Sequence, residues 1–579
     1  MTAGRLTHPG RYRRYRSGSR PGRLAAALAA ALVALVLALL VASGPALAAP
    51  RWVSGDIHNH TVLTDGSNLF GEVVRNAYAE YGLDFLANSE HGGASKKDAN
   101  GLSFVSPVWR WITLSLYAYP QVQDIRNVYP ERRTWLGVEW NAPTHEHASV
   151  GIVGRENEPW GISDFEYRFD QADLDTSRAG EGTKAVVDPA TGEVVVPAQP
   201  FDKHNQTHED MLFAIDWLEE TFGTQAYVVV NHPSRKNLWT VGDLRQMQDA
   251  GEDVVLGFEG FPGHQASHNR GEYGQYIGSD GRVVSDPSLA DPELTARCRT
   301  YGGADYMTAK VGGVWDALLG EGRHWWVFNN SDYHTYSKSY KDADGNTIGL
   351  EYFDFWPGQY GRTWLRVNEF SEQGIVDAMR AGRGFIVNGD LVDGLRFKVS
   401  DGTRAATMGG TLRVKSGTPV TVTIAYRSPR MNANGDRPKV DHVDVITGRV
   451  TGRIPAEVDG APNPAYFSTD TNPTAKVARR FGKQAWTRSG SWYVVSYTLK
   501  PTADMYLRLR GTNWPVNTPN QTDAQGNPLI DELDYVDYPN PKTGGVKPDG
   551  TPDLLHGNTP ETAFADLWFY SNPIFIDVK

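Results

Sequence analysis

From Arg51 to about Arg383 the chain alternates short apolar runs with amphipathic stretches. Asp56-Ile57-His58 closes a strand-like segment, and Glu72 to Tyr81 follows with Val73, Val74, Ala77, Tyr78 and Tyr81 on one helical face. Leu83-Asp84-Phe85-Leu86-Ala87 and Trp135-Leu136-Gly137-Val138 read as the next strands. Met211 to Phe222 reads as a helix with acids at its start, feeding the strand Tyr227-Val228-Val229-Val230. Trp325-Trp326-Val327-Phe328 reads as a further buried strand. Strands alternating with helices predict an α/β fold with a mainly parallel sheet, open or closed into a barrel. In such folds ligands bind beyond the carboxyl ends of the strands. The polar stretch from Arg168 to His208 sustains no period and reads as an excursion over the mouth of the sheet.

The helix Glu372 to Ala381, followed by Gly382-Arg383-Gly384, reads as the last element of this part. Beyond it the period changes to two. Leu395 to Val399, Val420 to Ile424 and Trp492 to Tyr497 alternate, with clusters of Pro, Gly, Asn and Asp between them. The expectation is a first domain over 51–385 and a C-terminal β-sandwich over 386–579, with a long loop from Asn513 to Asn558.

The first 48 residues stand apart. Seven arginines and no acid precede an apolar run from Leu24 to Ala42, and Ala46-Leu47-Ala48 follows. This order reads as a secretory signal over 1–48, cut after Ala48, and places the mature protein outside the cytoplasm. An uncleaved membrane anchor is the alternative, since the run is long enough to span a bilayer. The whole chain carries 57 basic and 68 acidic residues; without the seven arginines 50 basic residues face 68 acidic ones, a net of −18. That excess argues against nucleic acid and against a stable membrane partner after cleavage. Cys298 is the single cysteine, which excludes an intrachain disulfide and a Cys-rich zinc ribbon.

The chemistry concentrates where the apolar runs end. Twelve of the 15 histidines lie between His58 and His334. His58-Asn59-His60 opens the series, with Asp65-Gly66 soon after, then Glu90-His91, then Glu139 with His145 and His147 close behind. His232-Pro233 and Asp332-Tyr333-His334 complete it. Side chains two apart on a strand share a face, so an H-x-H pair aims both imidazoles the same way. Carboxylates from other strand ends add oxygen donors, a mixed nitrogen and oxygen set suited to Zn, Mn or Fe and not to thiol-loving metals. Arg235 could clamp a substrate oxygen, and His264, on a turn-rich loop from Glu259, could protonate a leaving group. His204, His208, His268 and His324 read as surface or loop residues. No H-E-x-x-H, G-x-S-x-G or Walker loop is present.

In order and in type, His58-x-His60 with Asp65-Gly66, His91, Glu139, His232 and Asp332-x-His334 resembles the signature of the PHP (polymerase and histidinol phosphatase) superfamily. Ala381 to Gly384 and the closing Ser571-Asn572-Pro573-Ile574 are similar to its CehA/McbA-type metallohydrolase branch. The resemblance implies a distorted (β/α)7 TIM-like barrel over 51–385 with the metals at its strand ends. It also implies one ion on His58, His60, Glu139 and Asp332, a second on Asp65, His91 and His334, and a third on Glu139, His147 and His232. His147 is preferred to His145 because it directly precedes the apolar run Ala148 to Val153. Ser89-Glu90-His91 departs from the usual Thr-Asp-His, which puts a supporting role for the Glu90 carboxylate in doubt.

The leading expectation is a secreted metal-dependent phosphoesterase acting on a small-molecule phosphate ester. The alternative cleaves a carbamate, ester or amide at the same metals. A third is a non-catalytic protein that captures envelope or polysaccharide.

Overall fold

The computed structural model describes residues 50–178, 202–267, 269–341, 347–531, 550–551 and 560–579, with only the backbone of short strands at Val186–Val187, Val194–Val196, Val536–Pro539 and Leu554–Gly557. The proposed signal, the middle of the Arg168–His208 excursion and part of the loop up to Asn558 lie outside the described residues. Residues 50–579 form one compact unit.

Strands β1 (Arg51–Asp56), β2 (Phe85–Asn88), β3 (Arg133–Asn141), β4 (His147–Ile152), β5 (Ala226–Val230), β6 (Val255–Phe261) and β7 (Trp326–Asn329) are the apolar runs of the first part. β5 and β6 are buried along their whole lengths, as expected of strands covered on both faces. Helices α1 (Trp160–Phe169), α2 (His208–Phe222) and α3 (Val241–Ala250) pack around them. α2 begins three residues before the predicted start because Thr207 caps it: its side chain accepts from the Asp210 N–H, and Asp210 reaches back to the Thr207 N–H.

The sheet differs from the predicted barrel in two ways. First, it is mixed. β1–β2–β3 and β5–β6–β7 pair in parallel, but β4 is antiparallel to both neighbours, β3 and β5. The short turn after Asn141 leaves no room for a crossover helix, so the chain must return as a hairpin. Second, no closed barrel forms among the described residues. Beyond β1 the sheet continues through β8 (Gly361–Val367) and β9 (Gly384–Asn388), and β9 pairs with a strand from the end of the chain, Trp568–Ser571. The loops that follow β1 and β7 meet instead through single backbone bonds, His60 N–H to Tyr333 O and Asp332 N–H to His58 O.

In the C-terminal part β10 (Gly394–Ser400), β11 (Val420–Arg427) and β12 (Trp492–Leu499) form the centre of a separate five-stranded antiparallel sheet. Phe397, Val399, Val422 and Ile424 from that sheet share a core with Val443, Val445, Leu507, Leu509 and Ile576 of the large sheet. Fully burying such a side chain contributes roughly 1.5–3 kcal/mol.

Candidate metal centre

The predicted site residues stand at one edge of the large sheet. β1, β2, β3, β5 and β7 run into this edge, so His58 and His60, His91, Glu139, His232, and Asp332 and His334 emerge at or just beyond their ends. β4 runs the other way, and His147, its first residue, therefore reaches the same edge, paired in register with Asn141.

Glu139 is the hub. Its fully buried carboxylate faces five imidazoles: Oε1 lies 3.0 Å from His58 Nε2, 2.9 Å from His147 Nδ1 and 3.2 Å from His232 Nε2, and Oε2 lies 3.2 Å from His60 Nε2 and 2.8 Å from His91 Nδ1. Asp332 Oδ1 lies 3.0 Å from His58 Nε2 and 3.1 Å from His60 Nε2. On the outer side Asp65 joins His334 (3.3 Å) and His91 (3.5 Å). His58, His60, Glu139 and Asp332 form one group able to hold an ion; His60, Asp65, His91 and His334 form another.

The donors fit a cation better than they fit one another. Both ring nitrogens of His60, Glu139 Oε2, His147 Nδ1, His232 Nδ1 and Asp332 Oδ1 are buried without a hydrogen-bond partner, although oxygens or nitrogens stand about 3 Å from most of them. Burial alone would push Glu139 up, yet His147, His58 and His91 hold it well below the carboxylate range. Burial would likewise lower His91, but Glu139 and Asp65 raise it to about 10. Burial, with His334 and His91 alongside, lowers His60, and burial with Arg235 brings His232 down to about 4. The same carboxylate field that draws protons onto His91 draws divalent cations, and neutral imidazoles are ready ligands.

Supporting contacts complete the site. His58 Nδ1 donates to Glu259 Oε1 at 2.9 Å, which leaves Nε2 as the free donor atom. Glu259 also accepts from the His232 N–H and from Asn330 Nδ2. It lies within β6, not on the turn-rich loop predicted there, which begins only at Pro262. Glu90, whose role the sequence left in doubt, is fully buried, binds the hydroxyls of Thr61 and Thr64, and accepts from Asn88. Its extra methylene reaches the loop that carries His60. Asn231 donates to Glu139 Oε1 at 3.0 Å. Glu146 lies 3.7 Å from His147 and 3.8 Å from His232, bound by Arg235 and Lys236.

His232, Asp332 and His264 all have positive φ, at 29°, 46° and 53°. Non-glycine residues seldom adopt this conformation, and it turns all three side chains into the site. The structure brings Arg235 and His264 into the same cavity, about 400 Å³ in volume and also lined by Lys338. Arg235 Nη1 stands 3.8 Å from Asp332 Oδ2. His264 Nε2 lies 2.8 Å from that oxygen, and its Nδ1 is held by Asp354 at 2.5 Å. His145 turns away, stacking on Trp239 with ring centres 4.6 Å apart.

Sequence reasoning missed Glu259, Glu146, Asn231 and Asp354. Glu259 did carry a signal, an acid at the end of the apolar run Val254 to Phe258, the same pattern as Glu139. Asp354 carried none, since it follows no run and reaches the site only through the chain's return.

Together these features define a mixed α/β protein whose strand ends carry buried His/Asp/Glu clusters able to bind metal ions. No family model matches the chain, and no curated protein matches it. Among solved structures it is similar to a two-domain protein containing a predicted PHP-like metal-dependent phosphoesterase from Bacteroides vulgatus. That chain is 14% identical, with 88% of this chain and 97% of that chain covered, at a TM-score of 0.30.

Proposed function

We propose that the chain is an exported, metal-dependent phosphoesterase of the PHP type, in its CehA/McbA-like branch, acting on a small-molecule phosphate ester. The observation that supports it most is Glu139 facing five imidazoles, a donor density that a single hydrogen-bonded carboxylate does not need. Two or three divalent ions would divide among His58, His60, Glu139 and Asp332; Asp65, His91 and His334; and Glu139, His147 and His232, with Glu146 beside the last set. Bound there, they would supply Lewis acidity and a water acidified toward neutrality.

The chain's own side chains do the rest. Asp332 and Glu139, both ionised, hold the cluster's charge balance. Arg235 offers a planar fork to two oxygens of a tetrahedral phosphate, which favours a phosphate ester over a carbamate with its single developing oxyanion. Asp354 fixes the proton on His264 Nδ1. The second ring proton, on Nε2, faces Asp332 Oδ2 at 2.8 Å on the cavity wall, from which a departing alkoxide oxygen bound beside it would take it.

The test is hydrolysis of chromogenic phosphate esters and carbamates before and after chelation, in wild type and Arg235→Lys. Chelation should abolish turnover and Mn, Zn or Fe should restore it. Arg235→Lys should lower kcat/KM about tenfold, about 1.4 kcal/mol of transition-state stabilisation, on phosphate esters alone. Full activity without metal, or activity confined to carbamates, would overturn the proposal.

A further inference from the structure

A second cluster of ligand atoms lies outside this centre. His145, on the turn between β3 and β4, meets His208, the first residue of α2, and Asp243, in the first turn of α3; the donor atoms of all three lie within 4.8 Å of one another. Each imidazole is oriented from behind by a carbonyl oxygen. His145 Nδ1 bonds to Leu238 O at 2.9 Å, and a carbonyl can only accept, so the proton sits on Nδ1 and Nε2 carries a lone pair. His208 Nε2 bonds to Gln246 Oε1 at 3.1 Å, and with the amide oxygen turned toward the ring the proton is on Nε2 and the lone pair on Nδ1. Those two free nitrogens, His145 Nε2 and His208 Nδ1, face each other at 3.0 Å. The Asp243 carboxylate stands 4.0 Å from His208 Nδ1 through Oδ1, while its Oδ2 caps α3 at Thr240. Two lone pairs aimed at each other repel unless a proton or a cation lies between them.

We infer that His145, His208 and Asp243 form a peripheral binding site for a single borderline divalent cation, separate from the centre around Glu139. Two imidazoles and one carboxylate are a donor set for Zn, Co or Ni, and ligand atoms 3–4 Å apart suit an ion about 2.1 Å from each. Outer N–H groups held by carbonyl oxygens are the usual support of ligating histidines. The side chains are half-buried, so water can complete the coordination. Through Leu238 and Trp239 the site grips the loop that also carries Arg235, and an ion there would tie this loop to the starts of α2 and α3. The inference does not depend on the proposed activity, because none of its ligands belongs to the central cluster.

The experiment loads the full chain with Zn²⁺, removes free ion by gel filtration and measures metal per chain. His208→Ala should bind one equivalent fewer than wild type. Asp243→Asn, which keeps the capping geometry, should weaken the same equivalent and serves where His208→Ala impairs folding. In a chain carrying His58→Ala and His334→Ala, the peripheral equivalent should persist and disappear on adding Asp243→Asn. Unchanged stoichiometry in both folded peripheral variants would overturn the inference and identify the pair as an imidazole–imidazolium hydrogen bond. Loss of central metal with the peripheral equivalent intact would count against the phosphoesterase reading of the centre only if wild type were also inactive.

Discussion

Glu139 concentrates more of the site's electrostatics than any other side chain. Its two oxygens stand between His58, His147 and His232 on one side and His60 and His91 on the other, and it is wholly buried. A neutral amide of the same shape would leave those imidazoles in place but remove the charge that offsets the ions. Glu139→Gln should therefore lower metal content by more than one equivalent, read by elemental analysis of folded protein. Loss of a single equivalent would show that the carboxylate serves one ion only. The position was legible from the sequence because a charged residue closes an apolar run. That it faces five imidazoles was not, since all five arrive from other strands or the loops that follow them.

The elements hold the candidate ligands through close backbone approaches as much as through side chains. Gly263 shows this best: a Cβ placed there would lie 2.1 Å from Asp332 Cβ and 2.3 Å from Ser331 O. The loop after β6 and the loop after β7 touch backbone to backbone, and Gly263→Ala must part them. The expected cost is about 1–3 kcal/mol in urea denaturation, with metal lost as Asp332 shifts. Undiminished metal binding would show that the Asp332 loop adapts. A second tie is Asp305, fully buried, which accepts from the N–H and hydroxyl of Ser234, the Met307 N–H and the Tyr273 hydroxyl. Burial pushes its carboxyl up from 3.8 to about 6 against those bonds. Between about pH 4, the unfolded value, and pH 6 the folded chain keeps a proton that the unfolded chain has released. Stability from this group is thus present below pH 4 and falls as pH rises through that window. Asp305→Asn, with no charge to bury, should show a shallower fall in denaturation midpoint from pH 4 to 6; an unchanged slope would mean that other groups set it.

Across the whole molecule, the strands that carry the candidate ligands are continuous with the C-terminal part. Strand β9 takes its outer partner from Trp568–Ser571, and Val327 in β7 donates its N–H to Asn572 Oδ1. Asp316, fully buried, is bound through both oxygens by Arg508 at 2.8 Å and also by Tyr506. Removing one partner of such a pair leaves an uncompensated buried charge. Asp316→Ala should cost about 3–5 kcal/mol, measured by urea denaturation, and a loss below about 1 kcal/mol would show that solvent reaches Arg508. A chain ending near Val387 would lose both the strand partner of β9 and the counter-ion of Asp316.

The linear pattern by itself determined many of the segments that become strands and helices and the His, Asp and Glu residues that form the candidate metal clusters. Period-two and apolar runs follow directly from side chains that must alternate or be buried, and candidate ligands at the ends of such runs are local features of the sequence. Only the tertiary structure decided how the runs pair. The short turn at Pro143 makes β4 antiparallel, and this brings His147 to the shared edge. The pairing of β9 with the chain's final strands extends the sheet where a closed barrel was expected. Glu259, Glu146, Asn231 and Asp354 take their roles from neighbours far away in sequence: Glu259 binds His58 from 201 positions on. Hydrogen bonds and charge pairs depend on distance in space, and that distance is set by packing, which no local pattern encodes.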